Sequence, residues 1–171
     1  MLDLNYEALV CKRMLDDLNI PYRKVDSFTI NTRAANRWGQ CKRNNDETFT
    51  ININIRLLES EKTLVGLRST ILHELLHTCP GCMNHGTQWK SYAAKVYNKY
   101  GIRISTTDSY LNKGISQEEQ VEYKKSTAKY KVVCKKCGYT IYKTKKCDLV
   151  NYPGNFSHRN CGGTFICYIN N

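Results

Sequence analysis

The sequence lacks any apolar run long enough to span a bilayer, which argues against a helical membrane protein. Its opening residues, Met1–Val10, lack the succession of basic, apolar and small residues that marks a secretory signal. The expectation is a soluble, cytoplasmic protein with no membrane partner. Acidic residues are also scarce: 15 Asp and Glu stand against 26 Lys and Arg, a formal net charge of +11. The imbalance is concentrated at one end. Residues 129–171 carry eight Lys or Arg against Asp148 alone, a net +7, while the remaining 128 residues carry +4. So basic a terminal piece points to a polyanionic partner. The nine cysteines do not make an even set, and several fall at metal-like spacings. In a reducing compartment such cysteines bind metal or stay free, so a disulfide framework is the weaker reading. At 171 residues, with 41% hydrophobic and 11% aromatic content, the chain suits one medium domain plus a small appendage.

The densest chemistry lies in residues 71–89. His73-Glu74-Leu75-Leu76-His77 is an H-E-x-x-H motif. Four residues along a helix bring a side chain back to the same face, so His73 and His77 can hold one metal together. Glu74, beside the first ligand, is placed to polarise a water held by that metal without being a ligand itself. Leu64, Leu67, Ile71, Leu72, Leu75 and Leu76 recur at helical steps, with Ser60 as the expected N-cap. That apolar set covers most of the circumference. The helix is therefore expected to be buried, with its histidines lining a cleft.

Two imidazoles do not complete a catalytic zinc site, which has three protein ligands and one open position. His85 is the best third candidate, because Cys79-Pro80-Gly81-Cys82 stops the helix and lets the chain double back. The metzincin spacing would need a histidine at Met83, and a thermolysin-like site would need a following Glu, of which the next is Glu118. Neither pattern is met. Cys79 and Cys82 allow a second idea, a thiolate that occupies the open metal position until it is oxidised or displaced. The simpler reading is a Pro-Gly turn with two packed thiols.

Elsewhere the chain reads in short pieces. Residues 2–18 form an amphipathic helix with Leu4, Ala8, Cys11, Leu15 and Leu18 on one stripe, ended by Pro21. Val25–Ile30 is a short strand. Arg33–Arg43 is less regular, but Trp38-Gly39-Gln40-Cys41 reads as a strand whose glycine permits close backbone approach. Cys41 is taken as a small core residue. Phe49–Leu57 alternates apolar residues with Thr50, Asn52, Asn54 and Arg56, a strand with one polar face. Thr87–Tyr100 is a helix with Trp89, Ala93, Val96 and Tyr100 on one face and Gly101 as its stop. Residues 106–128 are polar without a core pattern, a linker in which Gln117–Lys125 forms at most a short helix.

The last stretch has a different texture. Cys134-Lys-Lys-Cys137-Gly138 and His158-Arg-Asn-Cys161-Gly162-Gly163 share a two-residue gap followed by glycine. Such a gap lets two ligand atoms reach one tetrahedral metal, and the glycine relieves strain where backbone N–H groups turn toward the thiolate. Cys134, Cys137, His158 and Cys161 are thus the expected structural zinc ligands, with Cys147 as a rival for the fourth position. Tyr139–Lys145 has room for a hairpin, and Cys167 falls within a strand over Thr164–Ile169. Tyr130, Tyr139, Tyr142, Tyr152, Phe156 and Tyr168 are interleaved with lysines. Basic and aromatic side chains together hold a nucleic-acid backbone and stack on bases, unless the rings are spent on the core. Lys135, Lys136, Lys143, Lys145 and Lys146 are the candidate nucleic-acid contacts.

The His73/Glu74/His77 helix with His85-Gly86 and Trp89 resembles the SprT-like zinc metalloprotease family, which includes Spartan. Arg37-Trp38-Gly39-Gln40-Cys41 and Phe49–Leu58 are similar to that family's Gly-x-Cys strand and Ile-rich strand, and the terminal pattern resembles its zinc ribbon. The resemblance covers nearly the whole chain. It departs at His158, where the family more often has Cys. What it implies is an α+β fold: a zincin-like metalloprotease domain, helices packed on a small β-sheet, over residues 1–105. A linker over 106–128 and a small β zinc ribbon over 129–171 would follow. It implies an HExxH endopeptidase with two Zn2+, one catalytic and one structural, acting on protein substrates bound or crosslinked to DNA. It further implies that the polar edge of the Phe49–Leu57 strand pairs with an extended peptide. The competing reading is a non-catalytic nucleic-acid-binding or transcription-associated zinc protein, with His77, Cys79, Cys82 and His85 as a structural Cys2His2 site. That alternative leaves His73 and Glu74 unexplained.

Overall fold

The alternating apolar residues of Phe49–Asn54 place Phe49, Ile51 and Ile53 in the core and make this segment the centre of a three-stranded sheet. In the computed structural model, which describes residues 1–34, 37–107 and 109–170, the chain divides into two units, Met1–Ser116 and Gln117–Asn171. Ala35 and Asn36, within the Arg33–Arg43 stretch, and Asp108, within the expected linker, lie outside the described residues. The first unit runs α1 (Leu4–Asp17), β1 (Val25–Asn31), β2 (Gly39–Arg43), β3 (Phe49–Asn54), α2 (Leu64–His77) and α3 (Thr87–Tyr100). Its sheet has the order β1-β3-β2, with β1 parallel and β2 antiparallel to β3. The fold is the α+β, zincin-like arrangement anticipated, but β3 lies between two partners and has no free edge. An added peptide strand cannot pair there.

α1 begins where the Asp3 carboxylate accepts the N–H groups of Asn5 and Tyr6, at 2.8 and 3.1 Å. Its stop precedes Pro21. Asn19 adopts φ 51°, and the N–H of Ile20 returns to the Leu15 carbonyl at 2.9 Å, a left-handed helix end. α2 buries nearly every face: Leu67, Ile71, Leu72, Leu75 and Leu76 are wholly enclosed. Ser60 does not cap it. The Ser60 hydroxyl accepts the Lys62 N–H and starts a 3-10 turn, Glu61–Thr63, that leads into the helix. Glu7 on α1 and Arg68 on α2 form an ion pair of 2.6 Å at the contact between these helices.

The strand expected over Phe49–Leu57 ends early, because Ile55–Leu57 turns into a 3-10 helix. Asn54 and Arg56, expected on the open face, are buried. The Asn54 side chain accepts the Arg56 N–H and donates to the carbonyls of Ala34 and Arg37, which fastens the approach to β2. The expected linker 106–128 is divided between the units. A 3-10 turn at Leu111–Lys113 packs on α2 because Gly66 allows it: a Cβ there would meet the Lys113 backbone at 2.6 Å. The remainder becomes α4 (Gln117–Thr127). The polar sequence of this segment hid both elements.

The second unit joins β4 (Tyr130–Cys134), β5 (Thr140–Lys143) and β6 (Phe165–Ile169) into an antiparallel sheet of order β5-β4-β6. Val132, Cys134, Val150 and Phe165 form its small core, with Val150 on α5 (Asp148–Asn151). Asn170 donates from its amide to the carbonyls of Lys125 and Ala128 after β6. No helix among the described residues is long and apolar enough to cross a membrane.

Candidate metal centre

α2 presents His73 and His77, both half-buried and four residues apart, on one stripe of its C-terminal half. His73 Nδ1 faces the Ser105 carbonyl at 3.0 Å, and His77 Nδ1 faces the Cys82 carbonyl at 2.9 Å. A carbonyl only accepts, so both Nδ1 atoms carry the proton and both Nε2 atoms present lone pairs. Those Nε2 atoms are 3.2 Å apart, and His85 Nε2 lies 3.0 Å from that of His73. Tetrahedral zinc with Zn–N of about 2.0–2.1 Å needs N···N separations of about 3.3 Å. Lone pairs this close repel unless a cation lies among them. The donor set and its spacing fit Zn2+ with three imidazoles and one open position.

His85 reaches this point because the chain turns after α2. Cys82 N–H returns to the Cys79 carbonyl at 3.1 Å, and Gly81 takes φ 74°. Burial and the charges of His77 and Lys90 push His85 below the ordinary imidazole value, which favours the neutral, ligating form. Trp89, 1% exposed on α3, packs its ring against all three histidines, with centroids 4.9, 5.8 and 4.6 Å from His73, His77 and His85. Its Nε1 is buried and has no hydrogen-bond partner among the described residues, a cost set against the ring's packing.

Glu74 is also buried, with its carboxylate against β2. A Cβ at Gly39 would lie 2.5 Å from Glu74 Oε1 and 2.8 Å from Thr70 Cγ2, so only glycine allows the strand this close to α2. Burial raises the carboxyl to about 7, opposed by the Cys41 backbone N–H and the charges of Lys113 and Arg37. Lys113 is wholly buried, and its ammonium donates to Ser69 Oγ at 2.9 Å. Sequence reasoning missed this lysine, the Ser105 and Cys82 carbonyls, and the partner that makes Gly39 necessary. Only the glycine left a trace in the sequence.

The SprT-like family model matches residues 11–108, more than half of the chain and the whole of this centre. The chain belongs to the SprT-like family. With that membership comes a zinc metalloprotease-like function. Among curated proteins none matches the chain.

Within this SprT-like centre the other sequence readings separate. Cys79 and Cys82 are buried and absent from the ligand cluster, so the structure does not assemble a Cys2His2 site from them. Burial pushes the Cys79 thiol up to about 12 and raises that of Cys82. The thiolate switch has no support from either. Cys41 packs against the core with a thiol raised to about 12 by burial and by Glu74.

The ribbon lies outside the family match and carries a second cluster. Cys134 Sγ is 3.5 Å from Cys161 Sγ, which is 3.4 Å from Cys137 Sγ. His158 Nδ1 lies 3.2 Å from both Cys137 and Cys161 sulfurs. All four ligand atoms fall within 4.8 Å of one another, a Cys3His set suited to zinc. Gly138 and Gly162 take φ 73° and 69° where the two knuckles turn. Against desolvation, N–H donation from Cys137 and Lys136 holds the Cys134 thiol down, to about 7. Cys147 is exposed at the start of α5 and stands apart from the cluster, whose fourth possible ligand atom is that of His158. Lys135, Lys136, Lys145 and Lys146 are exposed and Lys143 is half-buried. Of the interleaved rings, Tyr130 packs on the core while Tyr139, Tyr152, Phe156 and Tyr168 are exposed.

Proposed function

We propose that the chain is a zinc-dependent endopeptidase of SprT-like type that acts on proteins bound or crosslinked to DNA. His73, His77 and His85 would hold the catalytic zinc, and Cys134, Cys137, His158 and Cys161 a structural one. The observation that carries this reading is the convergence of three imidazole Nε2 atoms on the helix that carries Glu74, a buried carboxylate that is not among the ligands. Zinc at that point supplies Lewis acidity, which lowers the pKa of water and polarises the scissile carbonyl. Glu74 takes a proton on its carboxylate and delivers it to the departing amine nitrogen. The Ser105 and Cys82 carbonyls hold the first two imidazoles in one tautomer and orientation. β2 is an outer strand whose Gly39 abuts Glu74, so an extended substrate has its pairing edge there rather than on β3.

Support for DNA as a partner is the ribbon's charge and its exposed rings, which suit backbone contacts and base stacking with little sequence preference. Glu74→Gln should keep both zincs and abolish cleavage of a peptide and of a DNA-bound protein; activity near the wild-type rate would remove Glu74 as the base. Neutralising Lys135, Lys136, Lys143, Lys145 and Lys146 together should weaken single-stranded DNA binding and flatten its salt dependence. About five phosphate contacts give a log–log slope near −3.5. Cleavage of a short free peptide should hardly change, while that of DNA-bound protein falls with affinity. An unaltered salt slope would leave a general peptidase with a structural ribbon.

A further inference from the structure

The segment 102–106 follows α3 outside any helix or sheet. Ile102 and Ile104 point into the core, while Arg103 is exposed and Ser105 half-buried. Among the described residues its one hydrogen bond is made by the Ser105 carbonyl, to His73. Its other backbone groups make no hydrogen bond among the described residues, which leaves them available to a bound chain. Beside it lies a cavity of about 340 Å³ lined by Trp89, Lys90, Tyr97, Arg103, Ser105 and Thr106 among others, none of them acidic. Arg103 and Ser105 also line a second cavity of about 220 Å³, with Ser69 and Asn112. Trp89 and Ser105 connect the larger cavity directly to the histidines, and Lys90 is close enough to His85 to influence its charge. Neither Lys90 nor Arg103 forms an ion pair among the described residues.

We infer that this cavity is a substrate subsite that takes an acidic side chain, Asp or Glu, of the polypeptide lying in the cleft, with Arg103 and Lys90 as its specificity-determining residues. Two cations that have no ion-pair partner among the described residues, beside a cavity floored by Trp89, Ala93 and Ile104, select a carboxylate and reject an ammonium. The inference rests on the peptidase reading, and the two can fail separately.

The test uses the zinc-loaded full chain carrying Glu74→Gln. It is titrated with peptides that differ only in Glu, Gln or Lys at each position in turn, with binding read from tryptophan fluorescence. The wild-type chain is assayed for cleavage of the same set. At one position Glu should bind about tenfold more tightly than Lys, a charge-assisted contact in partly open solvent, with kcat/KM following the same order. Arg103→Glu together with Lys90→Glu should reverse that order. Arg103→Gln alone should flatten it, and since both side chains are exposed neither change should disturb the fold. Equal binding of all three peptides, or a preference that survives the double reversal, overturns the subsite. Charge-selective binding with no cleavage by the wild type would instead overturn the peptidase reading and leave the subsite standing. If the reversal abolishes binding of an oligothymidylate and leaves peptide binding unmoved, the cavity serves nucleic-acid phosphates and the acidic subsite is wrong.

Discussion

Gly39→Ala tests whether the approach of β2 to α2 sets the position of Glu74. The added methyl would lie 2.5 Å from Glu74 Oε1, 2.8 Å from its Cγ and 2.8 Å from Thr70 Cγ2. Carbon and oxygen in ordinary contact stand about 3.4–4 Å apart, so the carboxylate must retreat by about 1 Å. Its retreat is constrained, since the side chain is enclosed by α2 and the sheet. A displacement of that size at a reacting group costs on the order of 10²-fold in rate. The overpacking itself should cost about 1–3 kcal/mol of stability. None of the three nearest atoms belongs to a histidine, so zinc content should be unchanged. Because a general base acts in the transition state, kcat should fall about a hundredfold with KM altered far less. Steady-state kinetics on a fluorogenic peptide, metal analysis and a urea melt on the same preparation would separate these effects. A variant with wild-type kcat and full zinc would show that Glu74 tolerates the methyl, and the reasoning from close approach would fail.

Two further outcomes follow from the metal clusters. Native mass spectrometry should find two zincs on the wild type, one on His85→Ala, one on His158→Ala and two on Cys147→Ser; loss of a zinc from Cys147→Ser would restore that thiol as a ligand. Chelation should release the second unit before the first, because Val132, Cys134, Val150 and Phe165 make a small core while α2 is enclosed on nearly all sides. Hydrogen exchange should then accelerate in β4–β6 with β3 and α2 still protected, and equal acceleration in both units would contradict that ranking.

Much of the centre was legible because helix geometry alone places His73 and His77 on one face, and a Pro-Gly turn returns the chain toward His85. The ribbon ligands were legible for a similar reason: a two-residue gap and a trailing glycine are local. What sequence could not reveal depends on contacts between distant segments. The carbonyls that fix the histidine tautomers belong to Ser105 and Cys82, and a backbone carbonyl leaves no mark on residue type. The alternation of Phe49–Leu57 continued through Asn54 and Arg56, yet one Asn side chain capping a 3-10 turn ended the strand. The strand order β1-β3-β2 is likewise non-local, and it decides which edge a substrate can use.

The polar segment after α3 shows the same limit in its strongest form. Its composition argued for a solvated linker, but Lys113 is wholly buried because Gly66 and Gly114 remove side chains at the points of closest approach. A Cβ at Gly114 would meet the Lys62 carbonyl at 2.2 Å, and Gly114 also needs its φ of 75°. Two glycines 48 positions apart in sequence thus admit one charged side chain against α2. A buried ammonium is stable only where polar partners meet it, and Ser69 supplies one such partner. The charge so placed acts on Glu74, favouring its ionised form against the desolvation that burial imposes. Packing beyond the motif therefore contributes to the electrostatics of its one acidic residue. No reading of H-E-x-x-H by itself contains that contribution.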